Sequence, residues 1–286
     1  MEGEMEHCSA VPALSLGLYY EPSLHPKPGA VTPLAPHRDK DFLDFVYNAS
    51  LIELSLMESC RRASISAGLR KYRELAVAAG LRTNVALGSA LLHIPLSSVL
   101  REGLSPPEQL ARRAHYMVTE GGEEEAREYY LLLETFRPSH LGRYEGPVPS
   151  VGSGYPRSFA SVLRAASWDM VHRELLSGYK LSLGVLRELR GEGPLKSKAL
   201  RALLLLLSEH GDTLIGSKYG FAAYKKVKEE AREALLLSER VGEEKAVGWL
   251  DELWRSRGWN PGAALDVLSV SISLYSYEKV LPFISS

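Results

Sequence analysis

The sequence has almost no cysteine: Cys8 and Cys60 are the two among 286 residues. That is too few for a disulfide framework or a cysteine-based zinc site, and it fits a reducing interior. Net charge is nearly missing as well. The 34 basic residues stand against 35 acidic ones, for a formal charge of -1, so nothing global favours a nucleic-acid partner. No apolar run approaches the roughly 20 residues of a membrane span; the longest, ALRALLLLLSEHG at 199–211, is short and flanked by charge. The N-terminus carries acids where a secretory signal needs positive charge, and Pro12 and Gly17 interrupt its apolar part. These absences lead to the expectation of a cytoplasmic protein with neither membrane nor nucleic acid as partner. Catalytic templates are lacking too: there is no Ser-His-Asp order, HExxH, Walker glycine loop or GxGxxG.

What is present is helical period. Phe42, Phe45, Val46, Ala49, Ile52 and Leu56 recur at three- and four-residue steps, which predicts a helix over 41–68 stopped by Gly68. Further helices are predicted over 70–79, over 83–100 with Pro95 as a kink or end, and over 106–119 behind a Ser105-Pro106 start signal. Acids open the next, over 123–136. A Gly-, Pro- and Ser-rich loop fills 137–157, a length that inside a compact chain points to function or mobility. Beyond it the period returns over 158–190, 195–209, 213–237 and 243–257, and in a last apolar helix capped by Asn260 and begun by Pro261. No alternating run demands a strand. The expected fold is all-α, one compact domain spanning 1–286 with about nine or ten helices.

Four stretches carry polar groups that patterning does not require. In HPKPGAVTPLAPHRDKDF (25–42) Lys27 is confined between Pro26 and Pro28, and Gly29 permits a turn or the close approach of a ligand. Asp39 and Asp41 face one side in extended backbone and there could share a divalent cation; alternatively Asp39 is an N-cap and Asp41 a first-turn acid. In the second stretch Asn84 and Gly88 lie one helical turn apart, fitting a ligand or a tight helix crossing, while His93 reads as a satisfied core histidine. In the third, Asp212 serves as a helix cap, and Lys218 stands between Gly216 and Gly220, glycines that suit phosphate approach. In the fourth, Asp266 lies beyond the first turn of an apolar helix, where an ionised carboxylate needs a partner or a metal. Asp169 flanks its apolar stripe as a weaker case of the same kind.

Together these stretches resemble the triphosphoribosyl-dephospho-CoA synthase family, in its divergent archaeal-type branch. Pro26, Lys27, Pro28 and Gly29, then His37, Asp39 and Asp41, match its Pro-Lys-Pro-Gly and His-x-Asp-Met-Asp motif, with Lys40 in place of Met. Asn260, Pro261, Gly262 and Asp266 match Asn-Pro-Gly-x-x-Ala-Asp, with Leu265 in place of Ala. Asp212 to Ile215, with Lys218 and Gly220, is similar to the Asp-Thr-Leu-Ile and Lys-x-Gly pattern of archaeal-type members, which also carry an aspartate at Asp169. The resemblance implies an all-α transferase that moves the triphosphoribosyl group of ATP onto 3'-dephospho-CoA and releases adenine, with Mg2+ as cofactor, small-molecule partners and room for a homodimer. It implies catalytic roles for His37, Asp39 and Asp41, and magnesium at Asp39, Asp41 and Asp266. Lys27, Gly29, Asn84, Gly88, Asp212, Lys218, Gly220, Asn260 and Gly262 are then expected around the nucleotide. Two departures stand out: the family's Asn-Thr-His-Lys-Gly reads Asn84, Val85, Ala86, Leu87 and Gly88 here, and its Gly-Ala-Arg-Gly-Glu segment has no counterpart in 137–157. A noncatalytic nucleotide-binding protein and a phosphohydrolase acting on a phosphorylated metabolite are the alternatives.

Overall fold

The computed structural model describes residues 7–37, 39–81, 85–138 and 148–284. Among these the fold is all-helical without a strand, but it has fourteen α-helices rather than nine or ten. The difference arises at breaks that leave the apolar period intact. A 3-10 turn, His7–Ala10, leads into α1 (Val11–Ser23), which tolerates Pro12 because its first turn needs no amide hydrogen there. Next, α2 (Phe42–Arg62) ends at a left-handed Ala63 (φ 48°), and Ser64 caps α3 (Ile65–Ala78) by accepting from the Ala67 amide at 3.1 Å. Gly68 therefore stops nothing: it lies inside α3, where a Cβ would meet Ile94 Cγ2 at 2.7 Å. The following helix, α4 (Leu87–Ser98), starts four residues later than predicted and runs through Pro95, which falls in its last turn.

The next pair, α5 (Pro107–Glu120) and α6 (Glu123–Phe136), fall where the period puts them. The single helix predicted over 158–190 is three: α7 (Phe159–Ala165), α8 (Met170–Leu176) and α9 (Lys180–Leu189). Asp169 caps the second, and left-handed Gly178 and Tyr179 (φ 72° and 62°) turn the chain into the third. After α10 (Leu195–His210), Gly220 (φ 89°) divides the predicted 213–237 helix into α11 (Thr213–Tyr219) and α12 (Phe221–Val241). The chain closes with α13 (Glu243–Ser256) and α14 (Gly262–Ile284).

The last helix, α14, is apolar on nearly every side and buried over most of its length, so it threads the core, as such helices must. The first lies along it at the closeness Gly17 permits: a Cβ there would run into the Ser269 carbonyl. A chain of polar bonds crosses this contact. The Gly17 amide donates to Ser273 Oγ (2.9 Å), Ser273 lies 2.8 Å from His93 Nε2, and His93 Nδ1 donates to the Ser89 carbonyl (2.7 Å). Burial lowers His93 to about 4, so it is the neutral, satisfied core histidine expected.

Cys8 and Cys60 correct another expectation, for they form a disulfide between the first 3-10 turn and the end of α2. Two positions 52 residues apart can pair once both are buried in one core. The cysteines therefore no longer argue for a reducing compartment. Among the described residues no helix is long and apolar enough to cross a membrane.

Candidate active site

The opening loop folds into a lip held from below. Lys27 is buried, and its Nζ donates to Glu21 Oε1 at 2.6 Å and to the Glu21 carbonyl at 3.1 Å. Burial lowers the Lys27 pKa, and the Glu21 charge opposes that fall. Gly29 takes φ 60°, donates its amide to Asp251 Oδ1 (2.7 Å) and packs against the Trp259 carbonyl, which leaves no room for a Cβ. The Gly29 carbonyl accepts from His37 Nε2 at 2.9 Å, and burial lowers the His37 pKa. Arg255 braces the loop from α13, bonding Asp251 and the Ala30 carbonyl. Gly29 and His37 thus build the lip.

The structure separates the two lip aspartates. Asp41 caps α2, its Oδ1 accepting from the amides of Leu43 (2.8 Å) and Asp44 (3.2 Å), while Asp44 Oδ2 accepts the Asp41 amide in return (2.8 Å). Asp39 is exposed and lies 3.7 Å from Lys40 Nζ. The cap sits two residues later than the sequence reading placed it, which leaves Asp39 as the carboxylate on offer.

Deeper in, α4 and α14 meet at Gly88. A Cβ there would collide with Asp266 Oδ2, so the glycine admits a carboxyl group. Ser89 Oγ donates to Asp266 Oδ1 at 2.5 Å. Desolvation pushes Asp266 up to about 8; the Ser89 bond opposes this, while the charges of Glu21, Asp169 and Asp212 add to it. Asp212 is buried more completely yet rises only to about 6, again through desolvation. Backbone amides account for the difference: Ile215 N–H donates to its Oδ1 (2.8 Å) and Ala264 N–H to its Oδ2 (2.9 Å), pinning the starts of α11 and α14 together. Asp169 caps α8 through the amides of Val171 (2.9 Å) and His172 (3.2 Å).

At the start of α14 the Asn260 carbonyl accepts the Gly262 amide (2.9 Å), while its side-chain Oδ1 is buried with no hydrogen-bond partner. Lys218 projects from α11; desolvation, with Lys40 nearby, lowers its pKa. The glycines around it have local reasons to be there. A Cβ on Gly216 would come within 3.3 Å of Tyr224 Cβ, and Gly220 makes the turn into α12.

These parts converge on a cavity of about 380 Å3. Lys27, Asp39, Gly88, Asp169, Lys218, Asn260, Gly262 and Asp266 line it, joined by Glu21, Lys40, Ser89, Tyr129, Arg137 and His172, which the sequence reading missed. Gly29, His37, Asp41, Asp212 and Gly220 are not in its wall; they shape or brace the elements that are. Asn84 and residues 139–147 of the long loop lie outside the described residues. One side of the cavity is apolar, with Phe45, Ala49 and Ile52 from α2 and Leu133 and Phe136 from α6. Ala86 and Leu87, which stand where the resembled family has His and Lys, also face in. Signals for the missed residues were slight. His172 follows Asp169 by three positions, the spacing of a helix face, whereas nothing local marks Glu21. Among the described residues no three His, Cys, Asp or Glu side chains come together as a metal cage.

Comparison with known proteins places the chain. A family model described as ATP:dephospho-CoA triphosphoribosyl transferase matches residues 9–283. A crystal structure from Archaeoglobus fulgidus, assigned as a triphosphoribosyl-dephospho-CoA synthase, superposes with a TM-score of 0.62 at 22% identity, over 82% of this chain and 98% of that one. At that identity the likeness speaks for the fold. No curated protein sequence matches significantly.

Proposed function

The chain belongs to the ATP:dephospho-CoA triphosphoribosyl transferase family, and we propose that it moves the triphosphoribosyl group of ATP onto the ribose hydroxyl of 3'-dephospho-CoA with release of adenine. The observation that carries this reading is convergence: Asp39 near one end of the sequence and Asp266 near the other line the same cavity, with Lys218 and Asn260 beside them. In the transfer the C1'–N bond to adenine breaks, the C1'–O bond to the acceptor forms, and the ribose carries positive charge in between. The apolar wall of α2 and α6 suits the flat face of a base, and Lys40 and Lys218 suit the triphosphate. Asp266 keeps its proton at neutral pH and fits the role of acid toward the departing adenine. The magnesium contact its motif implied would require that proton to leave, so the two roles are alternatives for this one carboxyl. Asn260 Oδ1, buried and unpaired, is an acceptor suited to a substrate N–H or O–H.

Mg2+ bound mainly by phosphates and water needs only one or two protein carboxylates, and it would neutralise triphosphate charge. Asp39 fits that demand. Asp41 fits it less well, being outside the cavity wall with its Oδ1 taken by two amides and Oδ2 alone left to offer.

Incubating the protein with ATP, Mg2+ and 3'-dephospho-CoA, with chromatography for free adenine, tests the reading. Adenine is expected in step with a triphosphoribosylated product. A noncatalytic nucleotide-binding protein is the second reading, favoured by the apolar Ala86 and Leu87 in the wall; ATP bound without adenine release would establish it. Phosphate released with adenine still attached would instead mean hydrolysis.

A further inference from the structure

Tyr129 of α6 and His172 of α8 line the cavity, and the transfer as described so far gives them no part. The Tyr129 hydroxyl donates to His172 Nε2 at 2.6 Å. On the far side of the ring His172 Nδ1 faces the Ala166 carbonyl at 3.3 Å, a partner that can only accept, so the imidazole proton belongs on Nδ1 and Nε2 receives. Both rings are held in place: Tyr129 lies edge-on to Phe159 at 5.8 Å and to His172 at 5.6 Å, and Asp169 fixes the first turn that carries His172. Burial keeps the imidazole below its ordinary value, hence neutral at pH 7; Asp169 from its own cap, Asp266 from α14, Glu21 from α1 and Asp39 from the lip are the carboxyls sharing the cavity with it. Two apolar side chains would join α6 to α8 without the cost of desolvating a phenol and an imidazole.

We propose that Tyr129 is the catalytic group that accepts the proton of the attacking hydroxyl, with His172 as the positioning residue that receives Tyr129's own proton in the same step. This rests on the transfer reading above. The acceptor hydroxyl gives its proton to Tyr129 Oη as the phenolic proton passes to His172 Nε2. The freed oxygen pair bonds to C1', and the electrons of the C1'–N bond leave with adenine, which takes the proton held by Asp266. Return of the His172 proton through solvent to the Asp266 carboxylate resets the site with no net proton change.

The test uses the full chain with Tyr129→Phe and His172→Gln, each near-isosteric, the second retaining an acceptor for the phenol but no site for a proton. Wild type must first release adenine with ATP, Mg2+ and dephospho-CoA; failure there sinks the transfer reading and this inference with it. Given wild-type turnover, each variant is expected to lose roughly a hundredfold or more in kcat while KM for ATP and calorimetric ATP affinity stay within about threefold. A kcat within threefold of wild type in either variant overturns the inference and leaves the transfer reading standing. So does a loss confined to KM and ATP affinity, because it assigns the pair to the architecture of the pocket.

Discussion

Lys27 and Lys218 line one cavity under very different conditions. Lys27 is 2% exposed and committed to Glu21, whereas Lys218 stands on the surface of α11 and enters no ion pair among the described residues. The same division runs through the aspartates, with Asp266 enclosed beside Ser89 and Gly88, and Asp39 open to solvent at the lip. On the floor the charged and polar groups are part of the frame, and the protein holds them in place before any substrate arrives. At the rim the charges are exposed and available, Lys218 at the cost of part of its hydration. Preorganised floors stabilise developing charge, and hydrated rims gather charged ligands.

If the floor is frame, breaking it should show first in stability. Lys27→Met strands the Glu21 carboxylate in a buried place, and a loss of about 3–5 kcal/mol in urea unfolding is expected. Adding Glu21→Gln should recover much of it. A single variant as stable as wild type would mean that water reaches the pair and the floor is not closed.

Asp266→Asn separates frame from chemistry. Adenine release should fall by about a hundredfold or more as the proton donor disappears. Thermal stability should move the other way with pH. In the folded wild type Asp266 titrates near 8 and in the unfolded chain near 4, so between these values only the folded chain holds the extra proton. Wild-type stability from this group therefore declines as pH rises through that window, and the amide variant escapes the decline. Melting temperatures at pH 4.5, 6 and 8 should show the variant gaining on wild type at each step; a constant difference would show that Asp266 titrates normally.

The smallest effect belongs to the rim. Lys218→Ala should raise KM for ATP by about tenfold at most, leave kcat and melting temperature alone, and matter less as salt is raised. A fall in kcat with KM unchanged would move Lys218 from the gathering of substrate to the chemistry.

The division between floor and rim was only partly legible in the sequence. Fold class was, because apolar spacing survives the breaks, and α6 was bounded by two glycines before it and acids in its first turn. The short helices were hidden, because Asp169, Tyr179 and Gly220 interrupt the backbone without interrupting the apolar stripe. Asp266 was legible as a carboxylate in an apolar helix; its partner Ser89 was not, since 177 residues separate them and serine is unremarkable in α4. Asp39 and Asp41 read either as joint ligands of a cation or as cap and first-turn acid, until the amides of Leu43 and Asp44 marked Asp41 as the cap. Glu21 has no local mark at all, because its place is set by how α1 lies along α14. The cysteines misled because two distant thiols advertise nothing until the core brings them together.

That disulfide makes a hoop of the chain from residue 8 to residue 60, and Glu21, Lys27, His37, Asp39 and Asp41 all ride on it. Closing a loop of that span withholds about 4 kcal/mol of freedom from the unfolded chain in the loop-entropy account. Its further effect is topological. If the backbone were nicked at the exposed turn around Leu34, the two halves of the lip would remain one molecule, fastened at their far ends, with α1 and α2 still seated on the core.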